Sequence, residues 1–115
     1  MQPEIEKLLT DIERAVGLLT QFVAGKAFDD YLKDPLLKSG VERQLEIIGE
    51  AVSQLAKLKP DIAAGITDYR KIIAFRNILI HGYAQLDDRL VWEIVKTRLL
   101  ILSQDVANLR GPAPP

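Results

Sequence analysis

The sequence predicts an all-α fold, an up-down bundle of four to five helices. Three observations predict it. Apolar residues recur at helical spacing over four long segments, helix-start and helix-stop residues stand at the ends of those segments, and no run alternates with the period of two that a strand requires. The connections are short, so neighbouring helices are expected to pack antiparallel.

The first segment covers residues 4–24. Ile5, Leu8, Leu9, Ile12, Val16, Leu19 and Val23 form its stripe. Pro3 suits a first turn, where a missing N–H costs nothing, and Gly25-Lys26 ends the segment. Residues 28–32 form a connector of about one helical turn. The second segment starts at Asp34-Pro35, an N-cap followed by proline at the first helical position, and runs to Leu58, because Pro60 cannot continue it. Leu37, Val41, Leu45, Ile48, Val52 and Leu55 make its apolar stripe, with Glu42, Glu46 and Glu50 as a carboxylate stripe alongside. Gly40 and Gly49 each weaken this helix by about 1 kcal/mol relative to alanine, and Gly49 is read as a point of close helix contact. The third segment begins after Thr67-Asp68 and runs to His81, where Gly82 stops it. The fourth begins at Asp87-Asp88 and runs to Leu109, lined by Leu90, Ile94, Val95, Leu99, Leu102 and Val106, with Trp92 as a packing residue. Residues 1–110 are read as one domain and residues 111–115, Gly-Pro-Ala-Pro-Pro, as a disordered tail.

Composition narrows the function classes. Apolar residues make up 48% of the 115 residues, enough for a core. No apolar run approaches the ~18 residues of a membrane span. The first sixteen residues carry charges throughout and do not read as a signal peptide. There is no cysteine, so neither disulfide nor thiolate chemistry is expected and a cytoplasmic location is the default. A net charge of −1 argues against a dedicated duplex-DNA binder but is compatible with an RNA-cutting enzyme that has one local basic pocket. The chain has a single histidine, so a mechanism with two imidazoles needs the second from another chain.

The third segment carries the chemistry. At about 100° per residue, with Arg76 at 0°, the side chains of Ile72, Phe75, Ile78 and Leu79 fall between about 200° and 320°, the arc expected to face the core. Ile73 and Ile80 fall near 60° and 40°, a second apolar strip, and Asn77 and His81 near 100° and 140°. A short helix with two apolar strips is expected to be buried on two sides, so Arg76, Asn77 and His81 are placed at a groove on a homodimer seam. Arginine offers a forked donor for phosphate oxygens, and an imidazole titrates near neutrality and can move protons. The pair suits attack of an RNA 2′-hydroxyl on the adjacent phosphate without a metal. Arg76 can also form a salt bridge to Glu46 or Glu50 that would orient its guanidinium; Glu46 is taken as a supporting residue with Asn77. The carboxylate stripe is read as a solvated face and not as a metal site, and no cofactor is expected.

The run Arg76-Asn77-Ile78-Leu79-Ile80-His81-Gly82-Tyr83 matches the R-x4-H-x-Y motif of the HEPN superfamily without departure. The stretch Val41-Glu42-Arg43-Gln44-Leu45-Glu46-Ile47-Ile48-Gly49-Glu50-Ala51 resembles the second helix of its HepT-like branch. R-x4-H alone is a weak pattern; the polar residue after the arginine, the tyrosine two after the histidine and this helix make the combination specific. The resemblance covers residues 4–109. It implies a HEPN-like bundle and a homodimeric endoribonuclease toxin of a type VII toxin–antitoxin system. Arg76 and His81 would be catalytic, Asn77 their polar support, and Tyr83 the residue to which an MntA-like nucleotidyltransferase antitoxin transfers AMP. A competing reading is a non-enzymatic helical dimer that binds nucleotide and regulates a partner nucleotidyltransferase. Against it, His81 has little purpose in mere nucleotide binding.

Overall fold

The computed structural model describes residues 1–82 and 86–111. Seven helices and no strand occur among them: α1 (Pro3–Val23), α2 (Phe28–Lys33), α3 (Pro35–Leu58), α4 (Pro60–Ala63), α5 (Tyr69–His81), α6 (Asp88–Thr97) and α7 (Leu99–Arg110). Four long helical stretches account for the architecture expected from the sequence; α2 and α4 are short connectors, and the fourth stretch is divided.

The ends of these helices follow from local chemistry. Asp34 Oδ1 accepts the N–H groups of Leu36 at 3.0 Å and Leu37 at 3.2 Å, and Pro35 opens α3. Asp87 does the same for Arg89 at 2.9 Å and Leu90 at 3.3 Å at the start of α6. Gly25, just past α1, has φ +71, a left-handed conformation that glycine adopts without steric cost. Asp68, at the head of α5, is also left-handed (φ 56), and its carboxylate makes no cap; it pairs with Arg98 at 3.2 Å. The break between α6 and α7 falls at Arg98. At the residue before it, the Thr97 hydroxyl donates to the Glu93 carbonyl at 2.8 Å.

The core lies between α1, α3 and the α6–α7 stretch. All seven residues of the α1 stripe are buried, as are Val41, Leu45, Ile48, Val52 and Leu55 of α3. Gly40 faces Phe22, which joins the start of α3 to the end of α1, so those two helices run antiparallel. Arg110, at the end of α7, donates to Glu6 at 2.7 Å, to Thr10 at 2.7 Å and to Glu13, which brings α7 back along α1. A small aromatic group closes one end: the fully buried Tyr31 of α2 has its ring centroid 5.5 Å from that of Trp92. Trp92 is thus the packing residue expected.

One expectation is corrected by the packing. The α5 arc Ile72, Phe75, Ile78 and Leu79, expected to face the core, does so in part: Leu79 is buried and Ile72 and Phe75 pack against the core half-buried, but Ile78 is 41% exposed. α5 packs against α3 and leaves an apolar groove of about 470 Å³ between itself and the α6–α7 stretch, whose floor includes Leu45 and Ile48 of α3. Helical periodicity identifies an apolar arc but does not say whether a neighbour in the same chain covers it.

Candidate active site

The site begins at the crossing of α3 and α5. Gly49 of α3 lies directly under Arg76 of α5: a Cβ added at Gly49 would stand 2.7 Å from Arg76 Cγ, closer still to Arg76 Cβ, and 3.4 Å from its Cα. Only a residue without a side chain allows the two backbones this close, which is the close contact read from Gly49 in the sequence. The consequence is positional. The root of the Arg76 side chain is clamped between the helices, and only its end is free to choose a direction.

That end turns towards α3. Arg76 Nη2 donates to Glu50 Oε2, and Nη1 donates to Asn77 Oδ1 at 3.1 Å. Nε is enclosed and has no hydrogen-bond partner among the described residues. The Arg76 side chain is 26% exposed. Glu50 is held from its other oxygen as well, since Gln54 Nε2, one turn along α3, donates to Oε1 at 3.1 Å. The Gln54 amide above all holds the Glu50 carboxyl below its ordinary value of 4.5; burial opposes it, and the Arg76 guanidinium, by its charge and its hydrogen bond, adds to the lowering. This interaction favours the fold above the ordinary carboxylate pKa and is lost as pH falls through the depressed value.

The carboxylate stripe of α3 is therefore not uniform. Glu42 lies beside the Lys38–Asp88 ion pair, and burial raises its carboxyl above the usual range despite the opposing Lys38 charge. Glu46 pairs with Arg43 at 3.4 Å and makes no hydrogen bond to Arg76. Of the two carboxylates that the sequence offered to Arg76, the structure gives it Glu50. Gln54 drew no attention in the sequence; its signal was its position four residues after Glu50, on the same helix face.

His81 is the last residue of α5, and its side chain is exposed. Gly82 follows, its N–H bonded to the Ile78 carbonyl at 2.9 Å. Five residues separate His81 from Arg76, about 140° around the helix and about 7.5 Å along it. No hydrogen bond or ion pair joins the two among the described residues. Asn77, exposed, lies between them in angle and touches Arg76. Ile73 is half-buried and Ile80 is 40% exposed, so the strip between Arg76 and Asn77 is partly open to solvent. Tyr83 lies outside the described residues, as do residues 112–115 of the expected tail.

A polar hollow of about 370 Å³ opens beside Arg76, walled by Lys7 and Asp11 of α1, Arg43, Glu46 and Glu50 of α3, and Ile80 of α5. The apolar groove on the other flank of α5 contains none of Arg76, Asn77 and His81 in its wall. Chemically, the face offers an oriented guanidinium for an anion and an imidazole at the solvent-facing end of a helix, able to exchange protons with a ligand. No helix among the described residues is long and apolar enough to cross a membrane.

Comparison with known proteins agrees with the motif. The chain is 32% identical over 108 residues to a putative RNase of Caldanaerobacter subterraneus, with 94% of this chain and 92% of that protein covered. It is 34% identical over 107 residues to a probable ribonuclease HepT of Thermococcus cleftensis, covering 90% of this chain and 86% of that one. It is also 28% identical over 109 residues to a two-activity protein of Methanocaldococcus jannaschii, named as a gamma-glutamylcyclotransferase and putative RNase, of which it spans 49%. No solved structure matches. The ribonuclease HepT-like family matches residues 12–109, which include the Gly49–Arg76 crossing and His81. The chain belongs to the HepT-like ribonuclease family.

Proposed function

We propose that this protein is a metal-independent endoribonuclease toxin acting as a two-fold homodimer, with Arg76 and His81 as catalytic residues. The observation that carries the reading is the pinned guanidinium of Arg76, on the same helix as an exposed terminal imidazole, in a chain of a ribonuclease family. In the proposed reaction the RNA 2′-hydroxyl attacks the adjacent phosphorus. The O2′–P bond forms, the P–O5′ bond breaks, one imidazole takes the hydroxyl proton, and a proton is delivered to the departing 5′ oxygen. Arg76 stabilises the negative charge that accumulates on the phosphorane. One chain supplies one imidazole, so a second copy supplies the acid. The partly exposed Ile80 beside Arg76 supports a seam along α5. The expected result is a dimeric mass at micromolar concentration and RNA cleavage that persists in EDTA, leaving a 2′,3′-cyclic phosphate or its hydrolysis product. Loss of cleavage in EDTA with recovery on adding magnesium, or a monomeric mass in the active preparation, overturns this reading.

The neutralisation step rests on the motif tyrosine. A partner nucleotidyltransferase of the MntA type would catalyse attack of the Tyr83 phenol oxygen on the α-phosphorus of ATP, forming the tyrosyl–AMP phosphodiester and releasing pyrophosphate. Tyr83 is two residues beyond His81, so the added phosphate would compete for Arg76 with the scissile phosphate, as a charge-assisted contact. Intact mass after incubation with the partner and ATP is expected to show one added AMP on the parent chain and none on Tyr83→Phe, which should keep cleaving RNA. If AMP lands on another residue, or the partner silences Tyr83→Phe fully by binding alone, the switch does not reside at Tyr83.

A further inference from the structure

We propose that Glu50, itself held by Gln54, is the positioning residue of Arg76 in RNA cleavage; the proposal rests on the catalytic reading of Arg76 above. An isolated surface ion pair carries little weight, because two long exposed side chains lose rotamer freedom for a screened attraction. Lys7–Asp11 is such a pair, with the lysine 73% exposed. Arg76 differs in three respects. Its root is clamped over Gly49. Its Nε is enclosed. Its acceptor is also immobilised, because Glu50 spends one oxygen on Arg76 and the other on Gln54.

These contacts fix the plane of the guanidinium. A guanidinium carries five N–H donors, one on Nε and two on each terminal nitrogen. Among the described residues, Glu50 takes one from Nη2 and Asn77 one from Nη1, while the Nε donor is enclosed. One N–H therefore remains on each terminal nitrogen, able to meet two oxygens of one phosphate as a fork. Asn77 alone cannot set this orientation, because it is the next residue on the same helix and is itself exposed. Glu50 reaches across from α3 and ties the guanidinium to a second helix, one that carries part of the core. The other charges facing this spot, Lys7 and Asp11 from α1 and the Arg43–Glu46 pair, make no hydrogen bond to Arg76.

The test uses the full chain with Glu50→Ala and Glu50→Gln. Alanine removes the acceptor; glutamine keeps a carbonyl oxygen for Nη2, and the exposed Gln54 amide can turn to meet its new NH₂ group. With a defined RNA oligonucleotide, Glu50→Ala is expected to lower kcat by about tenfold to a hundredfold with KM changed by less than about threefold, the signature of a misplaced catalytic group in place of lost binding. Glu50→Gln should recover most of that loss. Independently of activity, the Arg76 Nε–H proton should exchange slowly with solvent in the parent chain and in Glu50→Gln, and rapidly in Glu50→Ala. Unchanged kcat in a cleaving Glu50→Ala, or a glutamine variant as impaired as the alanine one, overturns the proposal. If the parent chain cleaves no RNA, the catalytic reading itself fails, and the exchange measurement still decides the positioning: equal rates in the parent and Glu50→Ala would refute it.

Discussion

Replacing His81 by alanine is expected to reduce RNA cleavage by about a hundredfold to ten-thousandfold, the range that a positioned proton-transfer group contributes. The same variant should abolish toxicity on expression. The expectation is unusually clean because the imidazole is exposed at the end of α5 and makes no hydrogen bond among the described residues. Its loss leaves no cavity and no orphaned partner, so the melting temperature should stay within a few degrees of the parent. The helix end should survive too, since Gly82 N–H bonds the Ile78 carbonyl through backbone atoms alone. Glu42, Glu46 and Glu50 sit on α3, and none makes a hydrogen bond to His81 among the described residues, so removing the imidazole leaves their own contacts in place. A folded His81→Ala that cleaves RNA at more than about a tenth of the parental rate would remove His81 from the mechanism. A variant that merely unfolds would say nothing of catalysis, which is why the melting curve belongs to the measurement.

The second large effect is expected from the smallest side-chain change. Gly49→Ala should lower stability by about 1–3 kcal/mol, the cost of overpacking a tight contact, or roughly 4–12 °C in melting temperature. By local propensity alone the sign would be opposite, since alanine favours a helix interior over glycine by about 1 kcal/mol. The contact decides. The added methyl would meet Arg76 Cβ and Cγ and, at 3.4 Å, its Cα, so relief requires α5 to move away from α3 and not just a rotamer change. Because Arg76 is the residue displaced, activity should fall together with stability, even at temperatures where the variant is fully folded. Thermal unfolding followed by circular dichroism, with cleavage assayed well below the midpoint, checks both. A Gly49→Ala variant as stable as the parent or more so would show that the crossing tolerates a side chain, and the tight clamp on Arg76 would have to be abandoned.

Most helix ends are legible in the sequence because the responsible atoms lie within about four residues of one another. Asp34 and Asp87 cap the helices they precede, Pro35 opens α3, Pro60 ends its reach, and Gly25 and Gly82 follow α1 and α5. The apolar stripes of α1 and α3 are core because both helices are flanked on their apolar sides by others. The short α4 escaped notice: four residues opened by a proline show no periodicity to read. The division at Arg98 is not legible in the sequence either, since the apolar pattern runs on through it.

What the sequence by itself determined is the set of long helices, most of their ends, and the motif Arg76–His81 with Gly49 in the segment before it; each depends on spacing along one helix or on residue identity. What only the tertiary structure decided is which carboxylate meets Arg76 and which apolar arc is covered. Glu46 and Glu50 are one turn apart on the same stripe, equivalent by pattern, and the choice between them depends on the height at which α5 crosses α3. That height is set by the Gly49 contact, where the backbones come closest, and it leaves Glu50, the next residue, within reach of Nη2 while Glu46 turns to Arg43. Likewise Ile78 belongs to an apolar arc by its spacing but stays exposed, because α5 packs on α3 and no helix among the described residues fills the groove beside it. A side chain's partner across 26 residues of chain follows from the rotation and separation of two packed helices, and neither quantity is written in the periodicity of either one.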